Sequence, residues 1–280
     1  MNGQMAELKE LSPEEKAKPY AKYYYMPPAA PDLELAEFLK DPRPMDPSKA
    51  LAIEARNDLL NPGYLEGETG YCQMPNGTGH VAVNNKMPGV TADMVNWWFA
   101  WHGLEDLRYK LWWPRDHFAV SVSEEDRQKI LDPNRPLVLK FQGITHHVVE
   151  DIGTGTDDLY ISFMTPEDFG FDMSRWKAPN VATLVAANVI VKSPAGAANP
   201  RVTPVAMCHF VREIPGGVEF RTRFWMGYQI VDKKAKLMLP PGASVPLSVC
   251  QGLFKHCIEE YSNFKVFLPK IYQELEGRIP

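Results

Sequence analysis

The segment Phe254–Glu260 carries a histidine and a glutamate at a spacing that could hold a metal ion. His256 and Glu260 are four residues apart, in a region whose apolar residues recur with a helical period. Residues at that spacing lie on one face of an α-helix, about 6 Å apart along its axis. An imidazole and a carboxylate so placed can bind one metal ion, but the same pattern also occurs on solvated helix faces. The spacing therefore leaves both interpretations open.

Glu150 lies in a segment with the composition of a β-strand. Side chains on a strand alternate between its faces, so Glu150 shares a face with His146 and Val148. A carboxylate on an apolar strand face is costly to bury unless it is paired or binds a metal. The alternative is that Glu150 lies in water at the end of the strand, close to Gly153.

Two more histidines are candidates for a site. His117 follows Pro114, which predicts a loop, and loops often carry site residues; Asp116 and His117 could equally be surface groups. His209 lies in a predicted strand, where it would either line a cavity or pack in the core. We count His209 among the candidate substrate-binding residues.

The sequence lacks the motifs of several other enzyme classes. It contains no GxSxG nucleophile elbow, no GxGxxG and no phosphate-binding GxxxxGK. A cysteine nucleophile stays open, since Cys257 adjoins His256, although neighbours on a helix point in different directions.

The composition restricts the class of partner and the compartment. The formal net charge of the 280 residues is -5 and no basic block occurs, which argues against nucleic acid and anionic membrane as partners. None of the four cysteines forms a CxxC pair, and the first residues are polar and acidic. We therefore expect reduced thiols and a cytoplasmic protein. No stretch approaches the roughly 20 apolar residues of a membrane span.

Turn and cap signals divide the first half of the chain into elements. Helices are predicted for residues 46–60 and 92–103, the second with Thr91 as its N-cap, and a further short helix opens at Ser123. Residues 64–84 contain a Pro-Asn-Gly turn and predict a hairpin.

The second half of the chain is rich in Val, Ile, Thr and Phe between Gly, Pro and Asp clusters. This composition predicts antiparallel strands at residues 137–152, 158–164, 181–192, 202–213 and 217–231. Several of these are long, so we expect a strongly curved sheet. Apolar residues then recur with a helical period over residues 247–275, which predicts one long C-terminal helix that is disturbed near Pro269.

These elements predict an α+β, helix-grip (START-like) fold, with a curved antiparallel sheet around the C-terminal helix and an apolar cavity between them. The simplest division is a single domain over residues 46–280, with a helical part at 46–135. Residues 1–45 combine seven prolines with several tyrosines, and we expect an extended arm lying on the main body. A flexible tail is the alternative.

Several segments together resemble the family of diacetylphloroglucinol hydrolase and phloretin hydrolase. The likeness covers roughly residues 46–275. The matching stretches are residues 57–64, 97–102, 107–112, 145–153, 223–227 and the helix motif at 256–260. The tryptophan-rich block and the helix motif are specific in combination.

The resemblance implies a helix-grip fold and a zinc ion held by two histidines and two glutamates, His117, Glu150, His256 and Glu260. It places the family's phenol-binding tyrosine on Tyr109. The second site tyrosine is not placed, with Tyr228 and Phe220 both open; we count Tyr228 as a substrate-binding candidate. An amide of the bacterial diacetylphloroglucinol enzyme has no counterpart here, because residues 118–120 are Phe, Ala and Val.

The implied activity is zinc-dependent hydrolysis of the C–C bond between an acyl group and a phloroglucinol-type ring, which releases a carboxylic acid. The substrate would be a small acylated phenol of the 2,4-diacetylphloroglucinol, monoacetylphloroglucinol or phloretin class. Tyr109 and Glu150 are the candidate catalytic residues, and a homodimer is compatible with the sequence. Iron or manganese would also accept this ligand set. Two alternatives stay open: a non-catalytic carrier of hydrophobic ligands, and a metal-dependent cyclase or decarboxylase of polyketide-like phenols.

Overall fold

A computed structural model describes residues 8–152, 155–177, 181–194, 196–197 and 200–279. Its α-helices are α1 (Pro13–Lys16), α2 (Leu33–Lys40), α3 (Ala92–Trp101), α4 (Asp106–Lys110), α5 (Glu124–Leu131) and α6 (Leu247–Glu274). Its strands are β1 (Gly70–Gln73), β2 (Gly79–Pro88), β3 (His117–Ser121), β4 (Thr145–Asp151), β5 (Thr156–Met164), β6 (Thr183–Lys192), β7 (Val202–Ile214), β8 (Gly217–Met226), β9 (Tyr228–Val231) and β10 (Lys234–Leu237). Short 3₁₀ segments are Ala21–Tyr25, Pro47–Lys49, Ile53–Leu60, His102–Leu104, Leu137–Leu139 and Met173–Arg175.

Eight strands form one antiparallel sheet in the order β1-β2-β8-β7-β6-β5-β4-β3, and β9 and β10 form a separate hairpin. One face of the large sheet packs against α3 and α6 in the main hydrophobic core. The other face is covered by a second core that contains Leu59, Phe169 and Trp225. Because both faces are covered, β7 and β8 are buried along most of their length.

The outer face of the sheet carries buried charges that are paired. The Glu68 carboxylate accepts hydrogen bonds from Arg221 and, at 2.7 Å, from Arg223, and Arg223 is completely buried. Burial acts to raise the pKa of Glu68, but the two guanidinium groups outweigh it and lower that pKa to about 2.

Helix α6 is one continuous helix of 28 residues that runs through Pro269. Its neighbours Leu268 and Ile271 are fully buried, and this packing offsets the backbone hydrogen bond that a proline removes. The helix is covered by the sheet on one side and by the N-terminal segment on the other, where Phe38 contacts Phe254 and Tyr23 contacts Phe267.

The described part of the N-terminal segment packs against the main body, and it is not extended. It forms α1, a 3₁₀ segment and α2 between its prolines, and its Tyr20, Tyr23 and Tyr24 side chains are buried. Tyr20 donates to Glu105 at 2.9 Å and Tyr23 donates to Glu274 at 2.8 Å. The aromatic residues therefore fix the arm; residues 1–7 lie outside the described part.

Several predicted elements are confirmed, including the hairpin of β1 and β2, the helix capped by Thr91 and the helix that opens at Ser123. The strands predicted at 158–164, 181–192 and 202–213 correspond to β5, β6 and β7. The antiparallel sheet and the long C-terminal helix are also confirmed. Assignment to the helix-grip class stays a prediction.

Other predictions were wrong in detail. The helix predicted at 46–60 is two 3₁₀ segments separated by extended backbone. The strand predicted at 137–152 begins only at Thr145, and residues 217–231 split into β8 and β9 at Gly227, whose φ of 101° ends the strand. Within the residues that the structure describes, no helix combines the length and apolarity required to cross a membrane.

Candidate functional site

A cavity lies between the large sheet and α6. Its empty volume is about 1000 Å³ when the space open to solvent is included. Side chains from β4 to β8 alternate into it, and α6 contributes the opposite wall. Most of the lining is apolar, so the polar lining residues stand out: His102, Tyr109, His117, Glu150, Asp157, Arg201, Thr203, His209, His256, Glu260 and Tyr261.

His117 is the first residue of β3, and its place in a strand corrects the predicted loop. It pairs with Glu150 across β3 and β4, directly before a bulge that shifts the register. Its ring stacks on Tyr109 with centroids 4.2 Å apart, and its Nδ1 lies 3.3 Å from the Tyr109 carbonyl oxygen. The side chain is thereby held in one orientation at the wall of the cavity.

His256 and Glu260 lie one turn apart on one face of α6, as the spacing predicted, and both side chains line the cavity. The Nδ1 atom of His256 is 3.2 Å from Oδ2 of Asp116. The same Asp116 oxygen accepts a hydrogen bond of 2.9 Å from Trp113 Nε1. The Asp116 carboxylate therefore orients the His256 ring through its Nδ1 atom.

The side chains of His117, His256 and Glu260 converge on one point. The Nε2 atoms of His117 and His256 are 3.2 Å apart, and Glu260 Oε2 lies 3.6 and 3.7 Å from them. Glu150 Oε2 is 3.8 Å from His117 Nε2. Donor atoms about 2.0–2.2 Å from a tetrahedral zinc ion lie about 3.3–3.6 Å from one another. The buried group of His117, His256 and Glu260 could therefore hold a metal ion, with Glu150 close enough to join it.

The tautomers of the two histidines support a cation at this point. Each Nδ1 faces only an acceptor, the Tyr109 carbonyl for His117 and the Asp116 carboxylate for His256, so each Nδ1 carries the proton. When both rings are neutral, each directs an Nε2 lone pair toward the other across 3.2 Å. Such an arrangement is repulsive unless a proton or a metal ion lies between the two nitrogens, and it is the arrangement of metal-bound histidines.

The pKa values in this group are strongly perturbed. Burial lowers the pKa of His117 well below its usual value. Burial also acts to lower the pKa of His256, but Glu260 and Asp116 outweigh it and raise that pKa to about 9. Burial raises the pKa of Glu260 to about 8. Without a metal the group therefore holds protons near neutral pH that a cation would displace.

Tyr109 and Glu150 are joined directly, since the Tyr109 hydroxyl donates a hydrogen bond to Glu150 Oε2. Burial raises the pKa of Tyr109 well above its usual value, and the Glu150 carboxylate raises it further. Burial likewise raises the pKa of Glu150. The pair places a phenol and a carboxyl group of raised proton affinity at the edge of the metal-binding group.

The sequence analysis missed Tyr261, which lines the cavity beside Glu260. Its hydroxyl is 2.8 Å from His209 Nε2, and His209 Nδ1 is 2.9 Å from Thr222 Oγ1. Burial lowers the pKa of His209 to about 3, so its ring is neutral. No local pattern in the sequence indicated Tyr261, because neighbouring residues on a helix point in different directions.

The structure does not bring Tyr228 to the cavity, which corrects its choice as a substrate-binding candidate. Tyr228 is in the separate hairpin of β9 and β10, and its hydroxyl accepts a hydrogen bond of 3.0 Å from Asn76. His209 does line the cavity, together with His117, Glu150, His256, Glu260 and Tyr109. The six candidates other than Tyr228 therefore lie around one space.

The sequence is similar to proteins of one known family. The family described as "DAPG hydrolase PhiG domain" matches residues 51–273. Phloretin hydrolase of Eubacterium ramulus is 36% identical over 265 residues, which cover 93% of this chain and 92% of that protein. A 2,4-diacetylphloroglucinol hydrolase of Pseudomonas sp is 29% identical, covering 92% and 88%, and one of Pseudomonas protegens is 28% identical, covering 92% and 84%. The match extends over most of the chain, and the chain belongs to the DAPG hydrolase family.

Proposed function

We propose that this chain is a zinc-dependent hydrolase that cleaves the C–C bond between an acyl group and a phloroglucinol-type ring and releases a carboxylic acid. The observation that carries the proposal is the buried group of His117, His256, Glu260 and Glu150 at the wall of a largely apolar cavity. The names of the relatives, phloretin hydrolase and 2,4-diacetylphloroglucinol hydrolase, supply the substrate class.

In this proposal all four side chains are ligands of the ion. Two imidazole nitrogens and two carboxylates match zinc, and the neutral histidines with their Nδ1 protons held by acceptors are the form that binds it. A bound divalent ion would supply Lewis acidity toward the acyl carbonyl and would lower the pKa of a water molecule.

Tyr109 and Glu150 would handle the protons of the reaction. Hydrolysis adds the hydroxyl of water to the acyl carbon and its proton to the ring carbon, so one proton must travel across the site. Glu150 lies in the cavity wall, and in this proposal it would leave the ion, take that proton and return it to the ring carbon. Tyr109 donates to Glu150 in the structure and would hold it in place, or donate to a substrate oxygen as charge develops.

The inner end of the cavity suits the phenol ring. His102, Tyr109, His209 and Tyr261 place hydrogen-bonding groups there among aromatic side chains such as Phe163. The ring can leave only if negative charge on its carbon is stabilised, and hydroxyls ortho and para to the acyl carbon provide a keto tautomer that does so. A 1,3,5-trihydroxybenzene has hydroxyls in these positions and can use the polar groups of the cavity.

The fold and the domain division are part of the same proposal. We infer that residues 46–280 form one helix-grip domain, with residues 1–45 as an arm fixed on it. The antiparallel sheet packed along α6, the cavity between them and the family match to residues 51–273 support this division.

The test combines metal analysis with an assay on acylated phenols. Purified protein should contain about one zinc per chain and should convert mono- or diacetylphloroglucinol, or phloretin, to a carboxylic acid and the deacylated phenol. His256→Ala and Glu260→Ala should lose metal and activity while the circular dichroism spectrum is unchanged. Metal-free protein with full activity would refute the proposal. Ligand binding without turnover would indicate a carrier, and products that keep the acyl carbon would indicate a cyclase or decarboxylase.

A further inference from the structure

The mouth of the cavity carries a charged pair outside the metal-binding group. Several lining residues there are partly or largely exposed, among them Ile152, Val191, Arg201 and Val249, and they mark the open end. At this end Arg201 Nη2 donates to Asp157 Oδ2 at 2.7 Å. Asp157 is only 4% exposed, so its carboxylate is a buried charge that Arg201 compensates.

The register of the sheet places this pair beside the metal-binding group. His117 pairs with Glu150 across β3 and β4, and Glu150 pairs with Asp157 across β4 and β5. Adjacent strands are about 4.8 Å apart, so the Asp157 backbone is one strand from Glu150. A substrate whose acyl carbon lies at the metal-binding group therefore has part of its structure within reach of Asp157.

The rest of the cavity lining is largely apolar and includes side chains such as Leu159, Val205, Met226 and Leu253. The hydrogen-bonding groups that suit a phenol ring lie at the inner end, so the acyl group is the part that extends toward the mouth. It must be apolar where it contacts these walls. Any polar group that the acyl group places beside Asp157 and Arg201 must suit a carboxylate and a guanidinium at once.

A neutral hydroxyl meets that requirement. It can donate to the Asp157 carboxylate, which can accept more than the bond from Arg201, and it can accept from the guanidinium. A carboxylate on the acyl group would be repelled by Asp157, and an ammonium group would be repelled by Arg201. The pair thus discriminates by charge as well as by hydrogen bonding.

We propose that Asp157 and Arg201 form a specificity subsite that binds a hydroxyl carried by the acyl group of the substrate. The inference rests on the proposed function, since it assumes that an acylated phenol occupies the cavity. It states that this chain prefers acyl groups with an apolar, hydroxylated tail over a simple acetyl group.

The test compares phloroglucinol carrying 3-(4-hydroxyphenyl)propanoyl, 3-phenylpropanoyl or acetyl groups. We expect the wild-type kcat/KM to be about tenfold or more higher for the hydroxylated tail than for the phenyl tail. The double variant Asp157→Asn/Arg201→Met removes both charges together and leaves no unpaired buried carboxylate. It should bring that ratio close to one, because kcat/KM should fall more for the hydroxylated tail than for the phenyl tail or the acetyl group. Lys192→Met is the matched control, because Lys192 lies on the same hairpin over the Tyr160 ring, outside the cavity, and should leave the ratio unchanged.

Two outcomes would overturn the subsite. In the first, the wild-type protein does not distinguish the hydroxylated from the phenyl tail. In the second, the double variant loses activity on all three compounds equally, which would mean a structural role. The failure of the proposed function is seen separately, as no hydrolysis of any of the three compounds. In that case the subsite is tested by calorimetry, with 3-(4-hydroxyphenyl)propanoate and 3-phenylpropanoate binding to wild-type and double-variant protein. Equal affinities of the wild-type protein for the two ligands would refute the subsite.

Discussion

Asp116 offers a precise test of how the metal-binding group is held. Asp116 Oδ2 accepts from Trp113 Nε1 at 2.9 Å and lies 3.2 Å from His256 Nδ1. Asp116→Asn can leave a carbonyl oxygen in the same place, so both hydrogen bonds can persist while the negative charge is lost. Asp116→Ala removes the bonds as well. The two variants therefore separate the charge from the orientation of the His256 ring.

Loss of such a partner behind a metal-bound histidine costs about 10- to 100-fold in metal affinity. This range corresponds to about 1.4–2.7 kcal/mol of binding free energy. We expect the loss of zinc affinity in Asp116→Asn to be at the lower limit of this range, because only the charge changes. The loss in Asp116→Ala should be at the upper limit. The assay is competition for zinc against a chelator of known affinity, with the folded state checked by circular dichroism.

Glu259→Gln is the matched control for this test. Glu259 lies next to Glu260 on α6, and its carboxylate interacts electrostatically with Asp116 and His256, but Lys255 is the residue it pairs with, at 3.9 Å. The substitution removes a nearby negative charge and leaves the bond to His256 intact. If Glu259→Gln lowers zinc affinity as much as Asp116→Ala does, the effect is general electrostatics and our reasoning about His256 is refuted.

Three further predictions concern catalysis, pH and stability. Tyr109→Phe deletes one hydrogen bond in a buried site, worth about 1–3 kcal/mol, and should lower kcat/KM by roughly one to two decades; unchanged steady-state kinetics would exclude Tyr109 from the site. Metal-free protein should lose stability as the pH rises, because the pKa values of Glu260, about 8, and His256, about 9, in the folded protein exceed those of the unfolded chain. The stabilisation by zinc in thermal-shift assays should therefore grow from pH 6 to about pH 9. Glu68→Gln leaves the buried Arg223 without its counter-charge and should cost about 3–5 kcal/mol in urea unfolding, whereas Glu66→Gln, at an exposed pair, should cost less than about 1 kcal/mol.

Periodicity located much of the candidate site in the sequence. The period of a helix placed His256 and Glu260 on one face, and the alternation of a strand placed Glu150 with Val148, because these relations depend only on local geometry. The capped helix after Thr91 and the hairpin of β1 and β2 were predictable for the same reason.

The other parts of the candidate site depend on contacts between segments that are distant in the sequence. β3 is a short strand that exists because His117 pairs with Glu150, and a proline three residues earlier suggested a loop instead. Tyr261 faces the same cavity as Glu260 although it follows it directly, which requires a cavity wide enough to contact both. Asp157 and Arg201 are 44 residues apart, and no local pattern connects them.

The order of the metal-binding residues along the chain has a consequence for biosynthesis. His117 and Glu150 come from the middle of the chain, whereas His256 and Glu260 come from α6. The arm is tied to the same helix, since Tyr23 bonds Glu274, 251 residues later. A nascent chain therefore has only half of the donor atoms until α6 leaves the ribosome. If the proposed site binds a metal ion, we therefore expect metal loading to be a late event that follows the docking of the last helix on both the sheet and the arm.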